Sequence, residues 1–83
     1  MSFHNYLNVL AEVADEEEID EVCLQAIEAG NVAAMFELGV RLDERDEPEE
    51  AVPHLRRAAD NGHAEARSYL AAVLREVGAQ VPD

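Results

Sequence analysis

Ala58-Ala59-Asp60-Asn61-Gly62-His63-Ala64-Glu65-Ala66-Arg67-Ser68-Tyr69-Leu70 has a weaker copy of itself earlier in the chain. When Ala58 is laid on Ala26, then Gly62, Ala66, Leu70 and Leu74 fall on Gly30, Ala34, Leu38 and Leu42. Alanine meets alanine, glycine meets glycine, leucine meets leucine. A repeat of that period points to stacked helical hairpins.

Outward from this stretch the apolar residues keep helical spacing. The pattern predicts a fifth helix from about Ala64 to Val77, with Ala66, Leu70, Val73 and Leu74 inward and Gly78 ending it. Before Gly62, a fourth helix carries Ala51, Val52, Leu55, Ala58 and Ala59, and Asp46-Glu47-Pro48-Glu49 supplies its acidic cap and first-turn proline. Pro53 lacks the N-H that would bond back to Glu49, which predicts a kink or an irregular first turn. A third helix, about Val32 to Arg45, buries Ala34, Met35, Leu38 and Leu42, and Gly39 lets a neighbouring backbone come close. Gly30 fits the left-handed position after the second helix, and Asn31 can cap the third. The second helix starts in the acidic run Asp15-Glu16-Glu17-Glu18, runs to about Ala29, and turns Ile19, Val22, Cys23, Ala26 and Ile27 inward. A first helix, about residues 3 to 14 and capped by Ser2, lines up Phe3, Tyr6, Leu7, Leu10 and Val13 or Ala14. The expectation is an all-α fold, a short α-solenoid of five antiparallel helices, forming a single domain over 1–78 with a loose tail over 79–83.

An 83-residue chain has room for one small domain. No run of 18 or more apolar residues and no basic N-terminal segment leading into an apolar core is visible, so the chain reads as cytoplasmic, with no membrane partner. The net charge of −13 is uneven: residues 1–50 hold fifteen acids and two arginines, residues 51–83 four of each. That field repels nucleic acid and anionic lipid and would steer a basic protein toward the acidic half; a merely solvated surface would carry the same charges. The lone Cys23 cannot form an internal disulfide. His4, His54 and His63 are scattered and share no predicted face with a nucleophile, and one cysteine with three separated histidines lacks zinc spacing. No enzymatic activity, metal or cofactor is expected.

Ala58-Ala59, Gly62, Ala66 and Leu70-Ala71, with Ala26, Gly30, Ala34 and Leu38-Gly39 before them, resemble the small-residue pattern of Sel1-like repeats, with Ala71 in place of the second glycine and Ile27 in place of the second alanine. The interval from Leu38 to Ala51 is instead like that of tetratricopeptide repeats, with Leu55 where an aromatic ring is usual and without the Gly-rich insert of Sel1-like units. The resemblance covers residues 19 to 78, reaches the first helix by register alone, and amounts to about two and a half repeats.

Both families mostly bind other proteins, so the resemblance implies a non-catalytic adaptor of bacterial type for a protein or peptide. Carrying over the tetratricopeptide register places His4, Asn8, Ala11, Phe36, Val40, Asp43, Ser68, Ala72 and Arg75 on a concave face, where Phe36 either anchors a partner or packs in the core. The open end is a second candidate surface. Where the third helix has Glu37, Arg41 and Arg45 at wet positions, the fifth has Tyr69, Val73 and Val77, an apolar stripe for the tail, a homodimer or a longer helical partner to cover. A reading from another class is an acidic inhibitor, an immunity protein or antitoxin that blocks a basic toxin or nuclease through Asp15 to Glu21, joined by Asp43 to Glu50.

Overall fold

The structure, a computed structural model, describes residues 1–80. Five helices follow one another: α1 (Phe3–Leu10), α2 (Glu16–Glu28), α3 (Val32–Glu44), α4 (Pro48–Asp60) and α5 (Ala64–Gln80). Each of α2 to α4 packs on the helix that follows it, and α1 seats on α3, so the chain zigzags in antiparallel hairpins into a body 43 × 26 × 18 Å. The fold is all-α.

Three evenly spaced corners make the zigzag. Gly30 and Gly62 sit at φ +88° and +89°, and Asp46, midway between them, sits at φ +66°. At each corner the next amide reaches back to the same carbonyl position: Asn31 N to Ala26 O at 2.9 Å, Glu47 N to Leu42 O at 2.9 Å, His63 N to Ala58 O at 3.1 Å. These are Schellman closures, which satisfy carbonyls the helix end would otherwise leave bare. Asp46 is therefore the left-handed end of α3 and not the cap of α4. That helix starts at Pro48 with Glu47 as an N-cap that makes no side-chain bond, and it stays α-helical through Pro53. The other N-termini of α1 to α3 are capped by side chains: Ser2 Oγ accepts from Asn5 N at 3.1 Å, Asp15 Oδ1 from Glu18 N at 2.9 Å, and Asn31 Oδ1 from Ala34 N at 3.1 Å.

The core holds Leu7, Ile19, Cys23, Ile27, Met35, Leu38, Leu42, Leu55 and Val73 around fully buried Ala34, Ala51, Ala58 and Ala66. Alanines at the crossings let the axes approach closely. Gly39 takes this to its limit: a Cβ there would lie 2.6 Å from Leu55 Cγ and Cδ2, so it makes room for a side chain of α4 before its backbone, whose nearest atom is the Ala51 carbonyl at 3.5 Å.

Two helices depart from expectation. α1 stops at Leu10, and the chain unwinds through short bonds such as Val13 N to Leu10 O at 3.0 Å, which leaves Val13 exposed and turns Ala14 inward. α5 runs straight through Gly78 to Gln80, so residues 79 and 80 extend the helix, while the expected loose tail from Val81 onward lies outside the described residues.

Candidate functional site

The expected open-end stripe is not exposed. Val73 is 1 % exposed, and Tyr69 and Val77 are half-buried against the core. The reason is positional equivalence: Arg41 and Arg45 of α3 turn toward α2, and their counterparts Val73 and Val77 belong to the face of α5 that packs against the core. Leu74 shows the converse. Expected inward like Leu42, it is 42 % exposed. Leu42 is covered because α3 lies between α2 and α4, whereas α5 has only one such neighbour.

At the α2–α3 contact, charges stand where α4–α5 has valines. Arg45 Nη1 donates to Asp20 Oδ2 at 2.8 Å, and Arg41 Nε reaches Asp20 Oδ1 at 3.5 Å. Both guanidinium groups are half-buried, although their sequence positions suggest wet ones. Burial pushes the Cys23 thiol up to about 11, so it stays protonated and inert.

On the opposite side, α1, α3 and α5 enclose an open cleft of about 510 Å³. His4, Phe36 and Val40 of the expected concave face line it, and Tyr69, expected at the open end, closes it. Phe36 is half-buried. Its ring stacks on His63 at 4.5 Å between centroids and meets Tyr69 edge-on at 5.9 Å. The Tyr69 hydroxyl donates to Asp43 Oδ2 at 2.8 Å, and burial, with this bond second, pushes its pKa up to about 12. Asp43 in turn raises the exposed Glu76 carboxyl. At the other rim His4 lies between Asn8 and Glu37, its Nε2 3.3 Å from Asn8 Nδ2 and its Nδ1 2.6 Å from Glu37 Oε1. A second hollow of about 500 Å³ shares Phe36, Glu65 and Tyr69 with the cleft and adds Ala64 and Ser68. Ala11, Ala72 and Arg75 are exposed but line neither hollow.

The sequence reading missed Ser2, Phe3, Ala33, Glu37, His63 and Glu65 as groove residues. His63 did carry a signal. It occupies in the second copy of the repeat the place that the cap Asn31 holds in the first, and its Nδ1 accepts from Ala66 N at 3.1 Å, so it caps α5 while its ring covers Phe36. Glu37 and Glu65 carried none beyond helical position.

Among the described residues no helix is long and apolar enough to cross a membrane. The fold and cleft together define a small all-helical protein with an open, aromatic-lined groove. No family model matches the chain, nor does any curated protein or solved structure.

Proposed function

We propose that the protein is a non-catalytic interaction module, a helical-repeat adaptor of the Sel1-like or tetratricopeptide type, that holds a protein or peptide in the α1–α3–α5 groove. The observation that carries this reading is the cleft itself: Phe3, Phe36 and Tyr69 line an open surface, contributed by alternate helices of the zigzag. Rigid aromatic rings in a concave surface offer large contact area at little entropic cost. Peptides selected from a random library on the wild-type protein test it. They should lose binding to a folded Val40→Glu variant and keep it on Leu24→Glu, a change at an exposed position of α2. The reverse pattern refutes it.

A second reading, the acidic inhibitor of a basic toxin or nuclease, draws on a surface hollow of about 520 Å³ lined by Asp15, Glu17, Glu18 and Glu21. It predicts that neutralising Glu17, Glu18 and Glu21 together abolishes binding while Val40→Glu leaves it intact. Association through α5 into a homodimer would use the exposed Leu74, and sedimentation of wild type and Leu74→Glu alike as monomers would rule it out.

A further inference from the structure

We infer that the groove selects a cationic side chain, an arginine in preference to a lysine, from a basic partner peptide; this rests on the groove reading above and names what the groove takes. Three observations converge. The first is the lining: no arginine is among the ten residues around the cleft, the chain has no lysine, and Glu37 and Glu65 supply two carboxylates. The second is the hold on Glu37: its Oε1 lies 2.6 Å from His4 Nδ1, and His4 Nε2 lies 3.3 Å from Asn8 Nδ2, so this contact fixes the carboxylate in the lining of the cleft. The third is the aromatic wall. Phe36 borders both hollows, so part of its ring is reachable from the groove, and His63 and Tyr69 brace it on two sides.

A guanidinium is planar, lies on an aromatic ring and donates in pairs to a carboxylate, whereas an ammonium does neither as well. In this cleft it would lie against the part of the Phe36 ring that His63 leaves open, within the lining that also holds Glu37 and Glu65. The whole-molecule charge of −13 adds steering toward the same kind of partner.

Calorimetric titration with blocked hexapeptides identical except for a central arginine, lysine, citrulline or glutamate tests this. The arginine peptide should bind most tightly and citrulline roughly ten-fold more weakly, the order expected of one cation–π contact with one carboxylate pair. Glu65→Gln, at an exposed position where the fold is not at stake, should lower arginine affinity several-fold and leave citrulline affinity unchanged. Equal affinity for arginine and citrulline, preference for glutamate, or no binding by any of the four overturns the inference. Neutral or acidic peptides that still lose binding in Val40→Glu would overturn it too, while leaving the groove reading standing.

Discussion

Asp46 is the residue at which the chain departs most from its own rule. The corners at 30 and 62 are glycines, which adopt positive φ at no steric cost, and the corner at 46 asks the same of an aspartate at φ +66°. Asp46→Gly should therefore raise the unfolding free energy by about 0.5–1 kcal/mol in urea denaturation. A loss would mean that the side chain of Asp46 does more than occupy a corner. Gly39 makes the opposite case. Alanine there would gain helix propensity of about 1 kcal/mol, but its Cβ would meet Leu55, which is fully buried and has nowhere to move. Overpacking of this kind costs about 1–3 kcal/mol, so Gly39→Ala should destabilise on balance, measured by the same denaturation.

At the scale of the element, the helices from α2 to the start of α5 are legible in the sequence because their signals are local: a cap, an apolar stripe at helical spacing, and in α2 and α4 a glycine after it. Asp46 escapes such a reading because an aspartate beside Glu47-Pro48 has the composition of an N-cap, and only the bond from Glu47 N to Leu42 O shows it to be a helix end. The facing of α5 escapes it because burial depends on which neighbours exist, and a copied pattern does not announce that the last helix lacks one. Gly78 tests the same helix. It sits one further step along the spacing that separates the corners, yet α5 passes through it with nothing within 4 Å of a Cβ. Gly78→Ala should stabilise the protein by about 0.5–1 kcal/mol; a left-handed corner there would make the same change destabilising. The contact between α3 and α5 has its own pH signature. The Tyr69 hydroxyl ionises at about 12 against an ordinary 10, so its contribution is complete below pH 10 and is lost as pH rises from 10 through about 12. Unfolding free energy should fall across that window, and less so in Tyr69→Phe.

For the whole molecule, charge and shape overlap: the acidic excess lies in residues 1–50, which include α1 and α3, and the aromatic cleft opens where those two helices and α5 share one face. Of that cleft, Phe36, Val40 and His4 can be placed from register. Register marks His63 only as a cap and Tyr69 only as part of the open end; neither can be placed in the cleft from it, since what brings them there is the meeting of α3 with α5 and its cap, elements that are not neighbours in sequence. Amide chemical-shift mapping of the wild-type protein with a selected peptide tests the placement of binding on this face most directly. The account predicts shifts at Phe36, Glu37, Val40, His63 and Tyr69, with Leu24, Glu50 and His54 on the opposite side unmoved; shifts confined to the latter group would contradict it.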